Sequence, residues 1–268
     1  MFGNLFISQC IAHFLADFTF QPQRWCEKKN TRPVTIVHFY HALVVFGLST
    51  LFFLIPTRGE KFLPILLFAS IIATTHFVID VIKSYLFVKK TGLNFLFITD
   101  QVIHILIISL ITFSFYKGSF LFPCESVGYY NLPESAHQAF SVKKLFILLS
   151  LYLCTNPANV FINNIMGIYN ITTPNTKRNN DLPNAGKLIG IIERTLSFIL
   201  ITFDHFSIVG FIIAAKSILR FRDTDTAKTE YLLIGSLLSF GIAILLGIIY
   251  HNINEIIFSI FKIWLIFI

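Results

Sequence analysis

The chain has few charged residues: Asp, Glu, Lys and Arg make up only 13% of its 268 residues. Soluble domains carry about 25%, so this scarcity, with a mean hydropathy of +0.72, excludes an ordinary soluble protein. The apolar residues fall in runs close to the ~20 residues that a helix needs to cross a bilayer. We predict an all-α fold, a polytopic transmembrane helical bundle, because helices satisfy their own backbone polar groups in lipid.

Cysteine is also scarce, and the four cysteines show no CxxC spacing, which argues against a disulfide framework or a zinc finger. The first residues lack a basic start and a small-residue cleavage site, so we expect no cleaved signal peptide. The net charge of +7 is spread over short polar stretches. This distribution is typical of the positive-inside rule and does not indicate a nucleic-acid-binding surface. The cysteines are Cys10, Cys26, Cys124 and Cys154.

The apolar segments predict about eight spans in two groups. Residues 1–116 form a first group of four, residues 117–142 form the longest polar stretch, predicted to be an external loop, and residues 143–268 form the second group. The tail, residues 253–268, is short, so a half-span, an interfacial helix and a ninth crossing all remain open. Two polar interruptions in the second group predict a kink or a re-entrant point: Asn156-Pro157 and Asn163-Asn164.

The lysines and arginines predict the orientation of the bundle. If the N-terminus is outside, fourteen of them lie at cytoplasmic ends of the segments and five at outer ends. Because positive residues concentrate on the cytoplasmic side, the sequence predicts an N-terminus outside the membrane.

Four segments of the first group each carry ionisable side chains about one helical turn apart. In the stretch HFVIDVIK, His76 and Asp80 point within about 40° of each other, and Lys83 returns to the same face. In the predicted orientation, all four sets lie one to two turns below the cytoplasmic surface. Ionisable groups inside a membrane are costly and usually mark a function. The sets are His13 with Asp17, His38 with His41, His76 with Asp80, and Asp100 with His104.

Imidazole and carboxylate groups at one depth predict a site for Zn²⁺, Fe²⁺ or Mn²⁺. Eight groups exceed one tetrahedral site, so we expect two ions, or one ion with a full set of orienting partners. One pair of this kind alone is also compatible with a hydrogen-bonded packing contact. Any of Asp17, Asp80 and Asp100 could serve as a catalytic general base instead of a ligand. The predicted ligands are His13, Asp17, His38, His41, His76, Asp80, Asp100 and His104.

Further charges lie outside these sets. Lys83 either extends to the membrane interface or anchors a substrate phosphate. In the stretch GKLIGIIER, Glu193 and Arg194 lie about two turns into an apolar run, and neighbouring residues point about 100° apart. Each therefore needs a partner on another helix, and Lys216 in AAKSILRF is our candidate for Glu193. This pair is either a structural ion pair or part of a substrate site.

The polar residues of the first group form a pattern of four parts: HFLADFTFQ from His13, His38 with His41, HFVIDVIK from His76, and DQVIH from Asp100. In these residues the chain resembles a bacterial membrane-protein family catalogued as domain of unknown function 3307, over about residues 3 to 115. The second group is similar to the extension of longer members. The resemblance implies a multi-pass protein of the bacterial inner membrane but no established activity. The pattern is reminiscent of metal-dependent inner-membrane hydrolases.

We therefore expect a metal-dependent hydrolase that acts at the cytoplasmic leaflet, on a lipid-linked phosphate or ester. One alternative is a transporter or channel for protons or divalent cations, and another is a non-catalytic scaffold with a structural metal. Membrane lipid is an expected partner and nucleic acid is not, while the oligomeric state, the metal and the substrate stay open. The predicted substrate contacts are Gln21, Lys83, Gln101, Glu193, Arg194 and Lys216.

Overall fold

The structure is a computed structural model that describes residues 1–57, 62–89, 95–117, 141–169, 171, 185–220 and 226–267. Every regular element in these ranges is a helix, which confirms the predicted all-α class. The predicted external loop, apart from its ends, lies outside the described residues. So do several charges that served to orient the chain: Arg58, Lys61, Lys90, Lys177, Arg178 and Arg222.

Ten helices occur in the described ranges. They are α1 (Phe2–Phe18), α2 (Gln23–Lys29), α3 (Ile36–Thr57), α4 (Phe62–Val88), α5 (Leu96–Lys117), α6 (Val142–Leu153), α7 (Asn156–Ile168), α8 (Ala185–Thr202), α9 (Phe206–Arg220) and α10 (Thr226–Phe267). The chain divides into two compact units, residues 1–146 with 254–268, and residues 147–253.

In the first unit, α1 and α4 each pack against both α3 and α5. Apolar side chains from all four helices form one core, which includes Leu5, Phe53, Phe68 and Phe115. The small residue Ala69 is fully buried in this core, so the helix backbones approach closely there. The core occupies the end of the unit where α3 and α5 finish, which leaves the opposite end to polar side chains.

The polar end is closed by α2, a helix of seven residues. It follows Pro22, which has an extended backbone, and ends at Lys29, with Asn30 as its C-cap. Most of its side chains are exposed, but that of Lys29 is buried. This short helix therefore inserts one cation among the four longer helices.

Fewer helices qualify as membrane spans than the predicted eight or so. Four described helices are long and apolar enough, namely α3, α4, α5 and Glu230–Ile266 within α10. The pair α6 and α7, bent by 53°, would make a fifth. Three predicted spans do not qualify. The first and the seventh correspond to α1 and α9, which have only 17 and 15 residues. The sixth corresponds to α8, which carries the charged residues Glu193 and Arg194. A crossing needs ~20 apolar residues, which explains the difference.

Three local predictions can be compared with the helix ends. The break at Asn156-Pro157 is confirmed, because α7 begins there with proline in its first turn. The break at Asn163-Asn164 is wrong, since both residues lie inside α7. The tail is not a separate segment, because α10 is one continuous helix of 42 residues. Asn252 does not interrupt α10, since its Nδ2 donates to the backbone oxygen of Ile248 one turn earlier.

Close packing of α10 on α8 yields a test of this fold. A Cβ at Gly247 would lie 3.0 Å from the Cβ of Ile201 and still closer to its Cγ2, whereas a Cβ at Gly241 would meet nothing within 4 Å. Gly247→Ala should therefore destabilise the protein by about 1–3 kcal/mol through overpacking, and Gly241→Ala should be neutral or slightly stabilising. Thermal unfolding in detergent, followed by circular dichroism, measures both. Equal melting temperatures for the two variants would contradict this packing.

Candidate metal centre

Seven of the eight predicted ligands form one contiguous cluster at the polar end of the first unit. The last two turns of α1, the first turns of α3 and α5, and the second half of α4 each contribute to it. All seven side chains are buried except that of Asp17, which is 10% exposed. We name them the His/Asp cluster: His13, Asp17, His41, His76, Asp80, Asp100 and His104.

Three atoms of the His/Asp cluster form a compact triangle. Nε2 of His41 lies 3.0 Å from Nε2 of His76, and Oδ1 of Asp17 lies 3.2 Å from the first nitrogen and 3.4 Å from the second. Ligand atoms at 2.0–2.1 Å from a tetrahedral ion are separated from one another by about 3.3 Å. Oδ2 of Asp80 lies 3.8 Å from both nitrogens. The arrangement therefore fits the spacing of ligands around a first-row transition metal.

A second set of potential ligands adjoins the triangle. His104 donates a hydrogen bond from Nδ1 to the backbone oxygen of Asp100 at 2.8 Å. Its Nε2 is buried and has no hydrogen-bond partner in the described part of the chain, and the same holds for Oδ1 of Asp100. A histidine held through one nitrogen, with the other free, is typical of a metal ligand. Asp80, Asp100 and His104 offer ligand atoms within 4.8 Å of one another.

Gln101 connects the two sets. Its Nε2 donates to Oδ2 of Asp17 at 3.1 Å and to Oδ2 of Asp100 at 3.2 Å. Its Oε1 accepts a hydrogen bond from Nε2 of His13 at 3.3 Å. The ring of His13 also lies against that of His104, with centroids 4.9 Å apart. We expected Gln101 to contact substrate, but in this structure it holds two carboxylates in place.

Two lysines pair with carboxylates of the cluster. Lys83 donates to Oδ2 of Asp100 at 2.6 Å, and about a third of its side chain remains exposed. Lys29 donates to Oδ2 of Asp80 and is buried. No local spacing in the sequence connects Lys29 with α4, so this ion pair was not predicted.

The two lysines leave the cluster with one uncompensated negative charge. Asp80 pairs with Lys29 and Asp100 with Lys83, whereas Asp17 contacts His13, His41, His76 and Gln101 and no lysine among the described residues. If the imidazoles are neutral, three carboxylates face two ammonium groups. An unpaired buried charge is strongly destabilising, so a cation bound beside Asp17 would restore the balance.

The remaining predicted site residues lie elsewhere. His38, one turn from His41, accepts a hydrogen bond from the backbone N–H of Thr35 and contacts Ser84 Oγ at 2.9 Å through Nε2. Both of its nitrogens are therefore occupied. Gln21 lies half-buried in the bend between α1 and α2, and no hydrogen bond of its side chain occurs in the described structure. Lys216 does pair with Glu193, in the second unit, where Arg194 is also found.

The comparisons with known proteins concern the same half of the chain. Residues 5–124 match the model of a family described as a protein of unknown function, DUF3307. Over these residues, which make up less than half of the chain, the protein is similar to the DUF3307 family. The match confirms the resemblance predicted from the sequence, and the DUF3307 region includes every member of the His/Asp cluster. No curated protein and no solved structure matches the chain significantly.

Metal binding by the DUF3307 region can be tested by removing one imidazole. His76 contacts both Asp17 and His41, so His76→Ala should lower the affinity for Zn²⁺ by more than about 100-fold, beyond the loss typical of an outer-shell change. His205→Ala removes an exposed histidine of the second unit and should have no effect. Metal analysis of the purified proteins, followed by Zn²⁺ titration, gives the comparison. The same metal content in all three proteins would contradict a metal centre here.

The ion pair of Lys29 provides an independent test. Lys29→Met leaves the buried carboxylate of Asp80 without its ammonium partner, which should destabilise the metal-free protein by about 3–5 kcal/mol. The neighbouring Lys28 is exposed, and Lys28→Met should have little effect. Added Zn²⁺ should restore much of the loss in Lys29→Met, because it would supply a cation to the same carboxylate. Thermal unfolding with and without Zn²⁺ measures both effects, and identical curves for the two variants would refute the role given to Lys29.

Proposed function

We propose that the DUF3307 region is a membrane-embedded, metal-dependent hydrolase that acts on a lipid-linked phosphate or ester. The observation that carries this proposal is the triangle of His41, His76 and Asp17, whose edges of 3.0–3.4 Å suit ligands of one metal ion. The three groups come from three different helices. Their approach therefore depends on the packing of the whole bundle and is not a local consequence of helical spacing.

The cluster has enough groups for two ions. One would be held by His41, His76 and Asp17, and a second by Asp100 and His104, with Asp80 able to reach both sets. Zn²⁺, Mn²⁺ and Fe²⁺ all accept this mixture of imidazole and carboxylate. Lys29 pairs with Oδ2 of Asp80, so an ion bound through that oxygen would compete with Lys29 for it.

The residues around these ions suit hydrolysis of an anionic ester. A bound divalent ion lowers the pKa of water to near neutrality and polarises a phosphoryl or acyl oxygen. The water oxygen would form the new bond to phosphorus or carbon, a carboxylate of the cluster that is not engaged as a ligand would accept its proton, and the alcohol would leave with a proton. Lys83 is partly exposed and already binds a carboxylate, so it can bind the negative charge of a substrate.

The position of the cluster suggests where the substrate is. It lies at the end of the bundle that is closed by α2, whose neighbourhood holds Arg24, Lys28 and Arg32. Positive residues favour the cytoplasmic side, and the apolar helices suit a membrane protein. We therefore place the protein in the bacterial inner membrane, with the cluster within reach of headgroups of the cytoplasmic leaflet.

Hydrolysis can be tested with the whole chain in mixed micelles. Metal-loaded protein should release phosphate from a short-chain phosphatidic acid, or fatty acid from a short-chain ester lipid. Asp17→Asn should reduce the rate by about 100-fold or more, because it removes either a ligand or the proton acceptor. Lys83→Gln should mainly raise KM for the phosphate substrate, and His205→Ala should behave as wild type. The absence of turnover by metal-loaded protein for both lipids would end this proposal.

One observation favours transport as a second candidate. His13, Gln101, Asp17 and His41 form a continuous, partly buried chain of hydrogen-bonded groups, which is suited to the relay of protons through a membrane. Proton or Zn²⁺ flux in proteoliposomes, without hydrolysis of lipid, would select a transporter. A scaffold with a structural metal would instead show neither activity, and removal of the metal would unfold it.

A further inference from the structure

The second unit contains a cavity of about 550 Å³ that is separate from the DUF3307 region. Helices α7, α8, α9 and α10 all contribute to its wall. The wall combines apolar side chains, such as Ile189 and Leu232, with a group of charged and amide side chains. It therefore offers one surface for hydrocarbon and another for a polar or charged group.

Arg194 is the most unusual residue of this wall, because its guanidinium is buried without a carboxylate partner in the described part of the chain. The residue is only 1% exposed. Its Nε donates to the backbone oxygen of Cys154 at 2.8 Å, Nη1 to Ser239 Oγ at 3.0 Å, and Nη2 to Asn159 Oδ1 at 2.7 Å. These acceptors are neutral. Because a guanidinium has five N–H donors, two remain for a further acceptor.

The neighbouring carboxylate does not neutralise Arg194. Glu193 forms its ion pair with Lys216 instead. Lys187 is an additional exposed cation on the wall. Among the described wall residues, three cations therefore face one anion, and a buried charge of this kind is costly unless an opposite charge is supplied.

Two other features concern the surroundings of the guanidinium. Gly190 lies one turn before Arg194, and a Cβ at that position would lie only 3.1 Å from Nη1. The guanidinium therefore packs directly against the backbone of α8 at this glycine. Asn159 holds its Nδ2 buried without a hydrogen-bond partner in the described residues, and this donor also suits an anionic acceptor.

From these contacts we infer that the cavity binds a phosphate group, with Arg194 as its central contact. Arginine presents a planar fork of donors that matches phosphate oxygens. Lys187 at the wall and the buried donor of Asn159 would add contacts to the same group. The apolar wall favours a phosphate that is carried by a lipid, while a free phosphate ion would share the same contacts. This inference does not rest on the hydrolase proposal, since no residue of the His/Asp cluster takes part.

Binding can be measured with the whole chain in detergent and with EDTA present, so that no metal at the His/Asp cluster contributes. The probes are dihexanoyl phosphatidic acid, dihexanoylglycerol as its neutral counterpart, and inorganic phosphate. Phosphatidic acid should bind and dihexanoylglycerol should bind much more weakly. Arg194→Gln should weaken the binding of phosphatidic acid by about tenfold or more, since it removes a charge-assisted contact.

Arg194 is buried, so its variant could fail to fold, and a second variant keeps the test decisive. Lys187→Glu changes an exposed side chain and should weaken binding by about threefold to tenfold. Lys262→Glu makes the same change in charge at an exposed lysine of the first unit and should leave affinity unchanged.

The probes distinguish the two sources of phosphate. Binding of inorganic phosphate as tight as that of phosphatidic acid would identify a site for the free ion, and preference for phosphatidic acid would identify a lipid headgroup site. Either result supports a phosphate site, provided that Lys187→Glu binds the phosphate probe more weakly than the wild type does. Binding of neither probe, or the same affinity in Lys187→Glu and Lys262→Glu, would overturn the inference.

Discussion

The cost of burying three carboxylates in an apolar helical bundle governs the first unit. Asp17, Asp80 and Asp100 lie on α1, α4 and α5, away from bulk water. A carboxylate removed from water is strongly destabilising unless partners compensate its charge and satisfy its hydrogen bonds. Two of the three obtain a lysine, and the third obtains imidazoles and the amide of Gln101. The polar end of the bundle is therefore built around Asp17, the carboxylate that protein cations leave uncompensated.

Hydrophobic packing at the apolar end of the bundle fixes the positions of the helices that carry the His/Asp cluster. Large buried side chains such as Phe53 and Phe115 pack with tilted rings whose centroids lie 4.7 Å apart, and this contact holds α3 against α5 at that end of the bundle. At the opposite end, α3 brings His41 to His76 and Asp17. Because the ligand groups come from three helices, the distances between them depend on hydrophobic contacts that lie several turns away.

Much of this could be predicted because helical spacing is a local property. His76 and Asp80 share a face of α4 whatever surrounds them, and the hydrophobic pattern locates α3, α4 and α5 closely. The part played by Lys29 depends on α2 folding back over the bundle, and no local pattern shows that contact. The predicted count of about eight spans is higher than the four or five described helices that are long and apolar enough, because a short apolar run can form a helix that is too short to cross a bilayer. The boundary predicted before the tail, residues 253–268, does not occur either, because α10 continues through it as one helix.

The buried charges of the two units are unbalanced in opposite directions. This difference indicates a cationic ligand for the first unit and an anionic ligand for the second. The His/Asp cluster holds three carboxylates against two lysines, so its missing charge is positive. The cavity around Arg194 holds three cations against Glu193, so its missing charge is negative. The family match ends at residue 124, before the second unit begins. The cation site that we propose in the DUF3307 region and the phosphate site that we infer outside it therefore follow from the same rule, that a membrane helix keeps a buried charge only where an opposite charge can reach it.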